Sequence, residues 1–313
     1  MSFKFKKIIE NIGYIEIPVL GITSNVYVIG TKDEAIIFDC GCADTATEVV
    51  ETLEKYGYKS DRIKAIIISH GHNDHYGGAG IIAEWADAPV WAHVTTAGQM
   101  LNPWATFIAP YNWFSNLTTE NWKWFQEKAG KGIRCQRMLY HGDTLDVAGI
   151  RIEVLEIPGH ERGAICLVDS ATKAVFVGDL IQGGMDASSN WLGLFTDVAS
   201  QKKSLNLILE MRPQWLFKGH RIFRKGEEIR QDIQSALRRL EVIESAILDI
   251  LKISSSCNLA ELTTAVYKRV LGQSPVGNIP PDHALVTVHA FLVDMSLRGL
   301  VRRTQDLLWE IVR

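Results

Sequence analysis

Four candidate metal ligands crowd into six positions of the segment AIIISHGHNDHYGG, which spans residues 65–78. His70 and His72 are separated by one residue, so in an extended chain their side chains point to the same side. Asp74 and His75 follow where the sequence changes from an apolar run to a glycine-flanked helix start. Neutral imidazoles and carboxylates are the ligands that zinc and similar metal ions take. The segment therefore predicts a metal site at the end of a buried strand.

Three further candidate ligands lie downstream, each at the end of an apolar run and beside a glycine. They are His160 in EIPGHERG, Asp179 in AVFVGDL and His220 in WLFKGHR. One such residue alone would be read as a turn or cap residue, but three on the same plan are expected to converge. Apolar strands hold ligands rigidly at their ends, and the loops beyond them leave room for a substrate.

This order of residues resembles the metallo-β-lactamase superfamily, whose HxHxDH element matches residues 70–75, and the resemblance covers about residues 10–225. It implies an α/β fold, the four-layered αββα sandwich. It also implies two metal ions, each held by its own ligands and joined by one bridging carboxylate. The ligands of the first ion would be His70, His72 and His160. Those of the second would be Asp74, His75 and His220, with Asp179 as the bridge and Asp39 in IIFDCG supporting the ligand loop.

The chemistry implied is hydrolysis at a dinuclear centre. The ions are expected to be divalent, with zinc favoured and iron or manganese as alternatives, because ligand types alone do not separate these metals. A bridging hydroxide would be the nucleophile, since metal binding lowers the pKa of water to about 7. Asp74 and Asp179 are the candidate catalytic residues, with Asp74 as a proton shuttle to the leaving group. Oxygen-reducing diiron members of the superfamily carry glutamate at the position of His72, so this histidine favours the hydrolase branch.

Hydrophobic periodicity predicts the elements that position these ligands. The runs YIEIPV, SNVYVIG and EAIIFDCG are typical of strands, TATEVVETLEKYGY of a helix, and IKAIIISH of a buried strand. Residues 141–180 alternate strands and turns in the same way. These elements predict a catalytic domain over residues 1–226.

An aromatic, helical insertion interrupts the strand rhythm over residues 95–130. Its aromatic side chains either pack on the main domain or cover the site as a lid, and both roles are compatible. In the superfamily, Thr-Pro or Ser-Pro usually follows the third histidine, whereas this chain has Glu161 and Arg162 there. Arg162 is either solvated at a turn or placed at the rim to meet an anionic group. The candidate pocket residues are Trp104, Phe107, Tyr111, Trp113, Phe114 and Arg162.

The C-terminal segment, residues 227–313, predicts a winged-helix-like domain of three helices and a hairpin. It resembles the tail of the superfamily branch that includes β-lactamase-like protein 2. The tail is expected to pack on the catalytic domain and shape the pocket or a homodimer. The alternative is phosphate contact through Arg298, Arg302 and Arg303.

Composition argues against several classes of protein. The chain has 313 residues, 47% hydrophobic and 22% charged, which is typical of a globular protein. A net charge of −3 disfavours a protein that coats nucleic acid, and no run predicts a membrane span. Without a recognisable signal peptide, and with five cysteines that include Cys40 and Cys42, a reducing, cytoplasmic setting is expected.

The sequence therefore favours a metal-dependent hydrolase that cleaves an ester, thioester or lactone of a small, partly apolar substrate. A phosphodiesterase or endoribonuclease is the second hypothesis, which a cluster of basic residues around an open cleft would favour. A metal-containing regulatory protein without catalysis is the third, which an occluded site would favour.

Overall fold

The computed structural model of the chain describes residues 3–19, 21–107, 118–182, 191–221, 223–278 and 280–312. The strands of the first sheet are β1 (Phe5–Ile9), β2 (Ile12–Val19), β3 (Ile22–Gly30), β4 (Ala35–Phe38), β5 (Ile63–Ile68), β6 (Val90–Ala92) and β7 (Arg137–Met138). Those of the second sheet are β8 (Thr144–Val147), β9 (Ile150–Glu156), β10 (Ile165–Asp169), β11 (Ala174–Phe176), β12 (Trp215–Phe217) and β13 (Arg224–Lys225). A small third sheet contains β14 (Ser256–Cys257), β15 (Val301–Arg303) and β16 (Trp309–Ile311).

Helices occupy the connections between the strands and most of the C-terminal segment. Those before the second sheet are α1 (Ala46–Lys55), α2 (Asn73–Tyr76), α3 (Ala79–Ala86), α4 (Val94–Leu101), α5 (Pro103–Phe107) and α6 (Thr119–Ala129). The helices that follow strand β11 of the second sheet are α7 (Val198–Met211), α8 (Glu227–Ser254), α9 (Leu259–Leu271) and α10 (Asp282–Leu297). Short 3-10 turns cover Ala43–Thr45, Ser60–Arg62 and Val276–Asn278.

The first sheet changes from antiparallel to parallel pairing along its width. Its strand order is β1-β2-β3-β4-β5-β6-β7, with antiparallel pairs up to β4 and parallel pairs beyond it. The second sheet has the order β13-β12-β11-β10-β9-β8, in which β11 and β12 form a parallel pair. The helices after β4 and β5 are the crossovers that parallel pairing requires.

Alternating side chains divide each sheet into two apolar faces. In β5, Ile66 and Ile68 pack towards the helices of the first half, whereas Ala65 and Ile67 pack towards the second sheet. In β10, Ile165 and Leu167 face the first sheet, whereas Cys166 and Val168 face α7 to α10. These period-two runs bury both faces, which builds the expected αββα sandwich.

The described parts of the aromatic insertion, residues 95–107 and 118–130, contain three helices that pack on the outer face of the first sheet. Its helices α4, α5 and α6 bury Met100, Phe107 and Phe125 against the core of that layer. Trp122 contributes to the same cluster, with its ring centroid 5.3 Å from that of Phe107. The insertion therefore packs on the main domain, which is one of the two roles considered from the sequence.

The C-terminal helices share one continuous apolar core with the outer face of the second sheet. Ile233 and Leu240 of α8 and Phe291 of α10 belong to the same cluster as Val175 of β11. Strands β15 and β16 pair as the hairpin that the sequence suggested, and β14 adds a third strand. The division at residues 226 and 227 and the winged-helix assignment stay predictions.

No helix in the described ranges combines the length and apolar character that crossing a membrane would need.

A cluster of aromatic rings between the sheets should be a major source of stability. Phe176 is fully buried, stacks on Phe217 with ring centroids 4.6 Å apart, and meets Tyr27 edge-on at 5.3 Å. We expect Phe176→Ala to lower the free energy of unfolding by about 3–5 kcal/mol in urea denaturation. Val242→Ala, at a half-exposed position of α8, should change it by less than about 0.5 kcal/mol. Equal effects of the two variants would contradict the central role of the ring cluster.

Candidate metal centre

The candidate ligands lie at the ends of strands from both sheets. His70 follows β5 of the first sheet, whereas His160, Asp179 and His220 follow β9, β11 and β12 of the second. Helix α2 carries Asp74 and His75. Backbone hydrogen bonds join the two sheets here: Ile165 N donates to Ser69 O at 2.9 Å, and Asn25 N donates to Gly219 O at 2.8 Å.

Three imidazoles and one carboxylate form the first group of candidate ligands, His70, His72, His160 and Asp179. His160 Nε2 lies 3.2 Å from His70 Nε2 and 3.0 Å from His72 Nδ1, and the latter two atoms are 3.1 Å apart. Asp179 Oδ2 is 3.8 Å from His160 Nε2. Nitrogens that bind one tetrahedral zinc ion at about 2.0–2.1 Å lie roughly 3.3–3.4 Å apart, so the three rings are spaced to share an ion.

Asp74, His75 and His220 form the second group, and Asp179 stands between the two groups. Asp74 Oδ2 lies 3.3 Å from His220 Nε2 and 3.7 Å from His75 Nε2. The two oxygens of Asp179 face different histidines, with Oδ1 3.5 Å from His75 Nε2 and Oδ2 3.1 Å from His220 Nε2. This placement is the one required of a carboxylate that contributes to both groups.

In His75, His160 and His220, the ring nitrogen that faces away from the centre is held by a polar partner outside the two groups. His75 Nδ1 lies 2.8 Å from Asp39 Oδ2, and Asp39 also accepts hydrogen bonds from the backbone and hydroxyl of Ser69. Backbone carbonyl oxygens hold Nδ1 of two other histidines. His160 Nδ1 lies 2.8 Å from Leu194 O, and His220 Nδ1 lies 2.8 Å from Thr23 O. These contacts fix which nitrogen of each ring points into the centre.

Asp39 takes the supporting position that the sequence suggested, and it does so in an unusual backbone conformation. Its φ is +62°, in the left-handed region, and its side chain is fully buried. Gly219 is required for another reason, because a Cβ atom there would lie 2.3 Å from Asp179 Oδ1. The glycine that precedes His220 therefore lets two ligand-bearing loops approach each other.

Burial and neighbouring charge give the two groups opposite protonation behaviour. Burial, reinforced by neighbouring imidazoles, holds the pKa of His70 well below its usual value and lowers the pKa of His160 to about 4. Burial also opposes the charged forms in the second group, but the surrounding carboxylates outweigh it. They raise the pKa of His75 to about 10 and that of His220 to about 9. The two imidazoles in turn hold the pKa of Asp179 well below its usual range, against the effect of its burial.

The donor set fits divalent metal ions. Three imidazoles meet in the first group, and two imidazoles with a carboxylate meet in the second, which are combinations that zinc accepts. Among the described residues, Nε2 of His75 is buried without a hydrogen-bond partner and faces the carboxylates of Asp74 and Asp179. A bound cation would satisfy this nitrogen.

The candidate metal centre opens into a cavity of about 620 Å³ whose wall includes the aromatic side chains of Phe107, Trp124, Phe125 and Trp191. Five of the candidate ligands border it: His72, Asp74, His160, Asp179 and His220. The described residues that complete its wall are Ile22, Asn73, Phe107, Asn121, Trp124, Phe125, Gln182, Trp191, Leu194, Arg221 and Asp282. The cavity is large enough for a small organic substrate next to the candidate ligands.

The predicted pocket residues differ in where the structure places them. Phe107 lines the cavity, whereas Trp104 and Arg162 are not among its described lining residues. Trp104 instead packs edge-on against Trp122 at 4.9 Å, and Arg162 is exposed at its turn. The remaining three, Tyr111, Trp113 and Phe114, lie outside the described residues.

Gln182 contributes to the site, although no sequence pattern pointed to it. Its Oε1 accepts hydrogen bonds from Leu194 N at 2.8 Å and Trp191 Nε1 at 3.0 Å, while its Nε2 donates to Leu194 O at 2.6 Å. It thereby ties the carbonyl that holds His160 to the wall of the cavity. A glutamine three residues after Asp179 belongs to no recognised ligand pattern, so only the fold reveals its role.

Cys40 and Cys42 take no part in either group of candidate ligands. Both are buried free thiols, and burial raises the pKa of Cys42 to about 12, so its thiol stays protonated near neutrality. His93 begins α4, where Nδ1 accepts a hydrogen bond from Thr95 N at 3.2 Å. These three residues have structural positions outside the two groups of candidate ligands.

Comparison with known proteins now defines the class. The sequence profile of the metallo-β-lactamase superfamily matches residues 20–220. The chain belongs to this superfamily and is a metal-dependent hydrolase with a His/Asp cluster suited to divalent ions.

Two relatives and one solved structure show how far the similarity extends. The chain is 25% identical over 259 residues to an atrochrysone carboxyl ACP thioesterase from Passalora fulva, which covers 80% of this chain and 64% of that protein. It is 25% identical over 197 residues to a β-lactamase-like protein 2 homolog from Drosophila melanogaster, 63% of this chain and 58% of that protein. It therefore spans less than two thirds of the length of both relatives.

The solved structure of a metallo-β-lactamase family protein from Thermus thermophilus superposes with a TM-score of 0.78. The superposition covers 97% of this chain and 99% of that chain at 20% sequence identity. The likeness shows a shared fold that includes the C-terminal helices.

The protonation difference between the two groups predicts an uneven proton release on metal binding. At pH 7 the imidazoles of His75 and His220 are charged and must lose their protons to bind a metal ion, whereas His70 and His160 are already neutral. We expect calorimetric zinc titration to show about two protons released for the second group and fewer for the first. The apparent affinity of the second group should rise as the pH increases from 6 to 9. Equal proton release at both groups would contradict this assignment.

Proposed function

We propose that the chain is a dinuclear hydrolase that cleaves a thioester or ester of a small, partly apolar acyl group. A lactone, as an internal ester, belongs to the same class. The observation that carries the proposal is the cavity of about 620 Å³, which brings aromatic side chains and both groups of candidate ligands to one space. The likeness to a thioesterase supports the same class of bond.

The proposed ligands are those predicted from the sequence. His70, His72 and His160 would hold one ion, and Asp74, His75 and His220 the other, with Asp179 contributing to both. Bound divalent ions, zinc being favoured by the histidine-rich set, supply an activated water molecule and polarise the substrate carbonyl.

The residues around the ions perform the remaining steps. Asp39 and the backbone carbonyls keep the histidines oriented, so the ligands need little rearrangement during the reaction. Phe107, Trp124 and Phe125 give the acyl group an apolar wall and exclude water from one side of the cavity. The carboxylate of Asp74 borders both the cavity and the histidines, where it could pass a proton to the leaving sulfur or oxygen atom.

The charge of the cavity favours an acyl substrate over a nucleic acid. Arg221 is the single lysine or arginine among the described lining residues, and Asp282 adds an acidic group to the same wall. A nuclease is expected to place several basic side chains along its phosphate path. The regulatory alternative is disfavoured because the cavity reaches the candidate ligands. A homodimer remains a prediction.

Metal analysis with a substrate panel tests the proposal directly. We expect about two zinc ions per chain and turnover of acyl thioesters or aryl esters, with little turnover of bis(nitrophenyl) phosphate or a short RNA. Asp179→Ala should lower kcat/KM by at least about 100-fold, because removing a ligand costs no less than removing a partner behind it. Asp146→Ala, which removes an exposed carboxylate of β8, should leave turnover unchanged. Activity confined to phosphodiesters would overturn the acyl assignment, and bound metal without any turnover would favour the regulatory alternative.

Two tryptophans of the insertion offer a matched test of the apolar wall. Trp124 is 40% exposed and lines the cavity, whereas Trp104 is 46% exposed and does not line it. We expect Trp124→Ala to lower kcat/KM for a long-chain acyl thioester by about tenfold or more, with a smaller effect on the acetyl thioester. Trp104→Ala should leave both values within about twofold. A chain-length preference that is the same in both variants would show that this wall does not bind the acyl group.

A further inference from the structure

Glu161 is a buried carboxylate next to the metal centre that the ligand set leaves unexplained. It follows His160 directly, at the position where the sequence departs from the superfamily pattern, and its side chain is 7% exposed. Within the described part of the chain, it forms no ion pair with a lysine or arginine. A buried carboxylate without such a partner is costly unless other groups stabilise its charge.

The group that faces Glu161 is the imidazole of His72. Glu161 Oε1 lies 3.3 Å from His72 Nε2, on the opposite side of the ring from Nδ1. Nδ1 is the atom that meets His70 and His160 in the first group of ligands. When Nδ1 binds a cation, Nε2 must carry the ring proton, and a carboxylate is the strongest acceptor for it.

Helix α4 fixes the orientation of the Glu161 carboxylate. Gln99 Nε2 donates a hydrogen bond to Glu161 Oε2 at 3.1 Å, which leaves Oε1 for His72. Thr96 of the same helix donates to Gly163 O at 3.0 Å and holds the loop that carries Glu161. Gly71 makes room for this arrangement, because a Cβ there would lie 1.9 Å from Gln99 Oε1.

We propose that Glu161 is a positioning residue that accepts the Nε2 proton of His72 and thereby orients Nδ1 towards the ion of the first group. Gln99 holds the carboxylate in place for this contact. Glu161, on the loop after β9, and Gln99, on α4, would orient His72 in the first group. Asp39 orients His75 in the second group in the same way. The proposal rests on the ligand set of the proposed function. It adds a residue that supports the binding of an ion by the first group.

Zinc affinity measures this role without depending on catalysis. The 313-residue chain is titrated with zinc against a chromogenic chelator, in a His220→Ala background that removes one ligand of the second group. We expect Glu161→Ala to weaken zinc binding by about 10- to 100-fold, as is typical for the loss of a partner behind a ligand. Glu161→Gln, which keeps an acceptor oxygen without the charge, should weaken it less. The visible spectrum of the cobalt-substituted protein should change in the same order.

A second buried carboxylate provides the matched control. Asp169 is 2% exposed and accepts hydrogen bonds within its own turn, from Ala171 N at 2.9 Å and Thr172 Oγ1 at 2.6 Å. Asp169→Asn should therefore leave zinc affinity and the cobalt spectrum unchanged. Should Glu161→Ala fail to fold, Glu161→Gln and Gln99→Ala decide the matter.

Wild-type zinc affinity in both Glu161→Gln and Gln99→Ala, or an equal loss in Asp169→Asn, would overturn the positioning role. This result is distinct from a failure of the proposed function. If the proposed function fails, the unsubstituted chain would bind two zinc ions and hydrolyse no acyl substrate. The difference in zinc affinity between the Glu161 variants and the unsubstituted protein would then persist.

Discussion

The arrangement of the site depends on one buried carboxylate, Asp179, placed between two sets of imidazoles. Five histidines within a few ångströms would repel one another if all were protonated, and burial makes each charge more costly. Asp179 faces His75 with one oxygen and His220 with the other, and so compensates the charged rings. Its close approach is the reason that Gly219 has no side chain. The same carboxylate that balances the protonated rings lies between the two groups of candidate ligands.

The site also requires the two sheets to be in register. His70 belongs to the end of the first sheet and His160 to the end of the second, so their rings meet only where the sandwich closes. Backbone hydrogen bonds from Ile165 to Ser69 and from Asn25 to Gly219 fix this edge. The ring cluster around Phe176 holds the interior between the same sheets. The same contacts between the two sheets therefore determine both how the sheets pack and where the candidate ligands meet.

Much of this could be predicted from the sequence, and the remainder has a physical explanation. The alternation in β5 and β10 predicted buried strands, and the spacing of His70 and His72 predicted convergent rings, because both are local properties of an extended chain. The contacts of Gln182 depend on loops distant in the sequence, which periodicity does not encode. Trp104 and Trp124 are equally aromatic, and only tertiary packing determines that the second lines the cavity.

The two groups of ligands differ in charge as well as in composition. In the first, burial keeps His70 and His160 neutral, so these two rings can bind a cation without losing a proton. The second holds charged rings paired with Asp74 and Asp179, and a cation must replace protons there. Filling the first group brings positive charge next to Asp179, which weakens its hold on the protons of His75 and His220. Asp179 therefore links the protonation of the second group to the charge that the first group holds.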